Sequence, residues 1–286
     1  MFLDIYNNID DMYYNMIYDV MRGDDSEFVY GTREVRDHVY RLNNINNSVI
    51  NIRGLSKRYC AAELLWYLMG DNSKDFIGKY ASMWNKISDD GITNNSAYGY
   101  IIKYKHGFDQ LEKIIELLKK DKYSRRAVVN INVPNENVIE TKDEMCTIAL
   151  QFLVRDDKLN LSVIMRSNDL YFGFPFDISA FCEWQKYVAD QLGLEYGSYT
   201  HHAISLHIYE RDFDKFNKIL DNRTVDAKPF TINHKNLWKY YSEIYDFIKQ
   251  NFDSNNKDLI VEKFYEYKIF EDIDLGDDYI WKLPRP

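Results

Sequence analysis

The stretch CTIALQFLVRDDKLNLSVIMRS, residues 146–167, reads as two apolar-rich strand patterns joined at Asp156-Asp157, a β-hairpin. After it, residues 174–192 resume a helical pattern, YTHHAISLHIY (199–209) reads as a strand, and a further helix is predicted near 211–220. Before it, RAVVNINV from Arg126 alternates like a strand, and FDQLEKIIELLKKD (108–121) puts Phe108, Leu111, Ile114, Ile115 and Leu118 on one helical face. GITNNSAYGY (91–100) is turn-rich, while AAELLWYLMG (61–70) predicts a helix stopped by Gly70. Short β-favouring stretches lie near 27–32, 37–42 and 49–53, and Ile5, Ile9, Met12, Met16 and Val20 predict an amphipathic helix over 3–21. Helices and strands mix along the whole chain, and periodicity alone shows no more than that. No repeat or Pro/Gly-rich linker divides it, and residues 1–286 read as one domain whose signals weaken from about 222.

The 286 residues carry 36 Lys and Arg against 45 Asp and Glu, a net charge of −9. That balance argues against general nucleic-acid binding, which needs a broad basic surface, so an anionic ligand must be met by a local arginine cluster. Apolar residues at 45% and charged residues at 28% are ordinary for a chain that buries a core. Cys60, Cys146 and Cys182 are too few and too scattered for a disulfide framework, and none forms a C-x-x-C pair that would suggest a metal. A reducing, cytoplasmic compartment is expected. The N-terminal MFLDIYNNIDD carries acids where a signal peptide is basic, and no apolar run approaches the roughly 18 residues of a spanning helix.

Several residues carry possible chemistry. A lone cysteine is more often a small buried hydrophobe than a nucleophile, but Cys146 opens one strand of the hairpin and Arg166 closes the other. A cation beside a thiol lowers its pKa and favours the thiolate. Arg125 and Arg126 join a helix to a strand and suit bidentate phosphate binding, although a solvated surface pair is the commoner use. Glu63 stands among Leu64, Leu65, Trp66 and Leu68, where desolvation would raise its pKa toward acid–base work; an exposed helical Glu is the alternative. His207 and Tyr209 share one strand face and could hold a sugar hydroxyl.

Taken in order, ELLWYLMGD, SRR, EMCTIALQF, MRSNDLYFGFPFDIS and SLHIY resemble the thymidylate synthase superfamily and, within it, the bacteriophage deoxycytidylate hydroxymethylases. The resemblance runs over roughly residues 20–210 and stops near 222. It implies an α+β fold built on a twisted β-sheet with flanking helices, a homodimer paired through the sheet, and active sites completed across it. It implies that Cys146 is the nucleophile toward C6 of a pyrimidine, Glu63 a proton relay through water, and Tyr98 an aid to proton removal. Phosphate would fall to Arg22, Arg166 and Ser167, with Arg125 and Arg126 donated by the partner subunit. Arg22 stands one residue short of the synthase spacing to Tyr30-Gly31. His207 and Tyr209 would bind the deoxyribose hydroxyl, Asp169 the folate pterin, and Trp84, Phe172, Gly173 and Phe176 the folate side.

Asp177 departs from the synthases, which have Asn there. An ionised carboxylate is acceptor-only and would repel O4 of uracil, whereas it accepts from the amine of cytosine and can share a proton with N3. Asp177 is also placed to cap a helix, the structural alternative. Met145, Thr147 and Asn168 likewise resemble the hydroxymethylases. The resemblance therefore implies that 5,10-methylenetetrahydrofolate delivers a one-carbon unit to C5 of dCMP, with water added, as suits a phage protecting its DNA. The rival readings are a dCMP methyltransferase ending in hydride transfer, a thymidylate synthase acting on dUMP, and a non-catalytic nucleotide- or RNA-binding paralogue. The terminal WKLPRP has no reading.

Overall fold

Asp156 and Asp157 adopt positive φ, 51° and 58°, in a computed structural model that describes residues 3–135, 137–222 and 228–274. Two left-handed residues in succession make the tight turn whose twist suits a hairpin, and Asp tolerates that region better than most side chains. The strands they join are β5 (Thr147–Arg155) and β6 (Lys158–Met165), as the sequence predicts. WKLPRP lies outside the described residues.

In chain order the elements before the hairpin are β1 (Leu3–Tyr6), α1 (Ile9–Arg22), β2 (Glu27–Val29), β3 (Thr32–Leu42) and α2 (Lys57–Met69). Short helices α3 (Lys74–Ile77), α4 (Met83–Ile87) and α5 (Tyr98–Lys103) lead to α6 (Gln110–Lys120) and β4 (Val128–Asn130). After the hairpin come β7 (Asn168–Asp169), α7 (Phe174–Leu192), β8 (Glu195–Tyr209) and α8 (Phe213–Asn222). Then follow β9 (Phe230–Ile232), α9 (His234–Asn251), α10 (Leu259–Glu266) and β10 (Phe270–Asp272). The main sheet runs β1-β3-β8-β6-β5-β4, with β2 on β3 and β7 on β8. Its β6–β8 and β1–β3 pairs are parallel and β3–β8 antiparallel, the mixed sheet of an α+β fold. Among the described residues no helix is long and apolar enough to cross a membrane.

The strands bury one face. Leu159, Leu161, Val163 and Met165 of β6 are fully buried with Tyr199, His201 and Ala203 of β8, and α1 and α7 cover this side, locked by Tyr13 stacked on Phe174 at 6.0 Å. On the opposite face Ile164 and Ile204 are 36% and 40% exposed.

Several expectations change. Phe108 is not on the buried helical face, because the Asp109 side chain caps α6 at Gln110 and leaves Phe108 48% exposed. The helix read over 3–21 begins only at Ile9, because the Asn8 side chain caps it by accepting from the Asp10 and Asp11 amides; Ile5 belongs to β1 and is exposed. Residues 49–53 form no strand. Val49, Ile50 and Ile52 are core, but the Asn51 and Ile52 amides donate to the Asp10 carboxylate at 2.7 and 3.1 Å and not to a ladder. Beyond 222, α9 buries Leu237, Ile244, Tyr245 and Ile248 on one face, a helical stripe that the weak polar reading missed.

Candidate active site

Register places the hairpin's open ends together: the Arg166 amide donates to the Cys146 carbonyl at 2.9 Å. The Arg166 guanidinium turns back to donate to the carbonyls of Met145 and Glu144, both at 2.9 Å, which leaves Nη2 3.6 Å from Cys146 Sγ. Two carbonyls thus aim the cation at the thiol. Burial nevertheless dominates and pushes the thiol up to about 11; Arg166 pulls down, while Asp177, Asp143 and Asp169 push further up. Arg166 alone does not yield the low-pKa thiolate that the sequence reading expects.

Glu63 sits mid-α2 and is 6% exposed. One turn earlier, Tyr59 Oη donates to Glu63 Oε1 at 2.6 Å and itself accepts from Trp84 Nε1 at 3.0 Å. Burial raises the Glu63 carboxyl to about 8, aided by the charge of Asp177, with the Tyr59 hydrogen bond opposing. The Phe176 ring meets Tyr59 edge-on at 4.7 Å, so Trp84, Tyr59 and Phe176 form one aromatic wall beside the carboxyl.

Asp177 lies in the first turn of α7 and is 8% exposed. Its Oδ2 accepts from Asn168 Nδ2 at 2.9 Å, and burial raises it to about 7 despite that bond. It is therefore a carboxyl poised near neutrality, and the acceptor-only argument applies to its ionised form. Gly173, just before α7, keeps Asn168 in place: a Cβ there would stand 2.9 Å from Asn168 Nδ2 and from the Asp169 carbonyl.

Asp169 Oδ1 accepts from the Tyr171 amide at 2.7 Å, and burial raises its carboxyl. β7 pairs it with His207 of β8, whose imidazole burial pushes below its ordinary range. The His207 and Tyr209 rings meet edge-on at 5.1 Å. Tyr98, at the start of α5, accepts from the Thr147 amide at 3.3 Å, directly after Cys146. Ser167 is half-buried between Arg166 and β7, and the Phe172 ring is 51% exposed beside Asp169.

Not every expected residue joins this cluster. Arg22, in the last turn of α1, pairs with Asp221 of α8 at 2.6 Å. Arg125 and Arg126 are exposed on the loop before β4, where the Arg126 guanidinium lies 3.9 Å from Asp121. Tyr59, Tyr199 and His201 were missed by the sequence reading. Tyr59 was findable four residues before Glu63, and Tyr199 and His201 alternate onto one face of β8. Among the described residues no group of three or more His, Cys, Asp or Glu could hold a metal ion.

A family model described as thymidylate synthase matches residues 11–262. The deoxyuridylate hydroxymethyltransferase of Bacillus phage SP01 is 34% identical over 174 residues, covering 56% of this chain and 45% of that protein. A putative thymidylate synthase of Methanocaldococcus jannaschii is 38% identical over 139 residues, 45% of this chain and 63% of that protein. The deoxycytidylate 5-hydroxymethyltransferase of Enterobacteria phage T4 is 33% identical over 175 residues, 56% of this chain and 70% of that protein. The chain thus spans about half the length of the SP01 relative and less than two thirds of the archaeal one.

Proposed function

The chain belongs to the thymidylate synthase family, and from that premise we propose that it transfers a one-carbon unit to C5 of dCMP, with water addition giving 5-hydroxymethyl-dCMP. The observation that carries the choice of base is Asp177, a buried carboxyl beside the thiol with one oxygen already accepting from Asn168. That oxygen can accept again from the cytosine amine while the other shares a proton with N3. In support of the folate, the half-exposed Phe172 ring offers a stacking face next to the Asp169 carboxyl, while Trp84 and Phe176, both buried, reach each other through Tyr59 beside Glu63, and Gly173 precedes α7. When bound, 5,10-methylenetetrahydrofolate supplies an electrophilic methylene carbon.

Cys146 sulfur adds to C6 of the ring, which makes C5 nucleophilic. C5 would bond to the donated carbon and lose its proton, tetrahydrofolate would be the leaving group, water would add to the transferred carbon, and the C6–S bond would break at the end. Arg166 holds the thiolate and one phosphate oxygen, with Ser167 beside it, and His207 and Tyr209 take the sugar hydroxyl. Tyr98 assists loss of the C5 proton. Glu63, protonated near neutrality and aimed by Tyr59, exchanges protons through water with the base and with the hydroxyl that adds to the transferred carbon. Arg22, Arg125 and Arg126 complete the phosphate site, the last two from a partner subunit of a homodimer.

A dUMP reading also has an observation behind it. A protonated Asp177 can present a donor to O4 and an acceptor to N3–H, and two of the phage relatives are named for deoxyuridylate. Mass spectrometry of the nucleotide formed from dCMP and from dUMP with methylenetetrahydrofolate separates the readings. The expected result is dCMP heavier by one hydroxymethyl group, with Asp177→Asn shifting the dCMP-to-dUMP ratio toward dUMP by up to about 10⁴-fold. A methyl product would move the enzyme to hydride transfer, and product from dUMP alone would overturn the base choice.

A further inference from the structure

Behind Asp177 runs a buried chain of hydrogen bonds. Tyr199 Oη lies 2.9 Å from His201 Nδ1, His201 Nε2 lies 3.1 Å from Asn168 Oδ1, and Asn168 Nδ2 lies 2.9 Å from Asp177 Oδ2. Tyr199 and His201 are fully buried and Asn168 is 2% exposed. Register and packing bring the members together: β8 carries Tyr199 and His201 on its covered face, β7 carries Asn168, and α7 carries Asp177.

The direction of this chain is determined. Among the described residues the Tyr199 hydroxyl has one hydrogen-bond partner, His201 Nδ1, so a buried hydroxyl proton must be donated there. His201 is neutral, because burial pushes it down to about 3, and with Nδ1 accepting, its one proton stands on Nε2. That N–H donates to Asn168 Oδ1, which turns the amide so that Nδ2 faces the carboxyl. Asp177 Oδ2 is thereby an acceptor, and any proton on this carboxyl stands on Oδ1.

This bears on base choice because a neutral carboxyl can match either pyrimidine. Carrying its proton on one oxygen it fits cytosine, and on the other it fits uracil. We propose that Tyr199 and His201 are positioning residues that, through Asn168, fix which oxygen of Asp177 donates and which accepts, and so make the pocket selective for one pyrimidine. The proposal rests on the nucleotide reading of this site, but not on which base is preferred. If Tyr199 could not donate, His201 could move its proton to Nδ1, the Asn168 amide could turn, and both carboxyl forms would become available.

The test is the ratio of dCMP to dUMP affinity, measured by calorimetry on full-length wild type, Tyr199→Phe and His201→Gln, with melting temperatures in parallel. Losing one buried hydrogen bond in Tyr199→Phe is expected to compress the wild-type ratio toward unity by about ten- to a hundredfold, by weakening the preferred nucleotide more than the other. His201→Gln, which has no tautomer to fix, is expected to compress it as well. An unchanged ratio in both variants, with the two nucleotides weakened equally or not at all, would overturn the relay. A wild type that prefers dUMP, with that preference compressed in Tyr199→Phe, would support the relay while sinking the dCMP reading.

Discussion

Glu63 and Asp177 are both buried carboxyls, and the charge of Asp177 adds to the burial that raises Glu63, while burial and the charge of Asp169 raise Asp177. The same repulsion reaches Cys146, whose thiol is pushed up by the charge of Asp177. A proton on Asp177 therefore makes the thiol easier to ionise, so that the base-reading carboxyl and the nucleophile are electrostatically linked. The shifts also act on stability. Glu63 titrates near 8 and Asp177 near 7 in the folded chain, against values near 4 when unfolded. Between these limits the folded state holds more protons, so the contribution of each carboxyl is intact below about pH 4 and is lost as pH rises through the folded pKa. Each lowers stability by up to about 1.4 kcal/mol per pH unit inside its window. In urea denaturation from pH 5 to pH 8, Glu63→Gln is expected to gain on wild type as pH rises. Parallel curves would show that Glu63 is ionised at neutral pH.

At the scale of elements, Gly70 ends α2 at φ 68°, with its amide bonded back to the last turn, and a Cβ there would meet the Tyr104 ring at 2.6 Å. Gly70→Ala is expected to lower unfolding free energy by about 1–3 kcal/mol, read by denaturant melts, through left-handed strain plus the clash. Because α2 carries Tyr59 and Glu63, activity should fall with it. The Gly70 stop was legible because a glycine after an apolar run has one common use. The hairpin and the helix from Phe174 to Leu192 were legible for the same reason, since their periodicity agrees with their turn residues. Residues 49–53 misled because their apolar pattern reports burial, and the partner that replaces a ladder, Asp10, is far away in sequence. In the site, Cys146 and Arg166 lie on one hairpin and could be paired from sequence. The Tyr199–His201–Asn168–Asp177 chain could not, because it joins three elements, β8, β7 and α7, that the β7–β8 pairing and the packing of α7 on β8 bring together.

Across the whole molecule two observations ask for a common account. The sheet face opposite α1 and α7 leaves Ile164 and Ile204 partly exposed, and Arg125 and Arg126, expected to reach the phosphate of a partner subunit, are exposed on the loop before β4. An acidic chain, net −9, gains little by holding two adjacent exposed guanidiniums, one of them only loosely paired with Asp121 at 3.9 Å, unless an anion meets them. A homodimer formed on that face would cover the isoleucines and let each subunit lend its arginines to its partner's phosphate site, as the family reading proposes. In a two-fold dimer every site would then combine Cys146 of one chain with Arg126 of the other. Cys146→Ala and Arg126→Ala proteins should each be nearly inactive alone. Mixed, denatured and refolded together at equal amounts, they should recover about a quarter of the wild-type activity, since random pairing makes about half the dimers mixed, each with one intact site. Heterodimers isolated with two different tags, and still inactive, would place Arg126 in its own subunit's site or outside the reaction altogether. Activity in Arg126→Ala alone would remove it from phosphate binding and leave Arg166 as the cation that matters most.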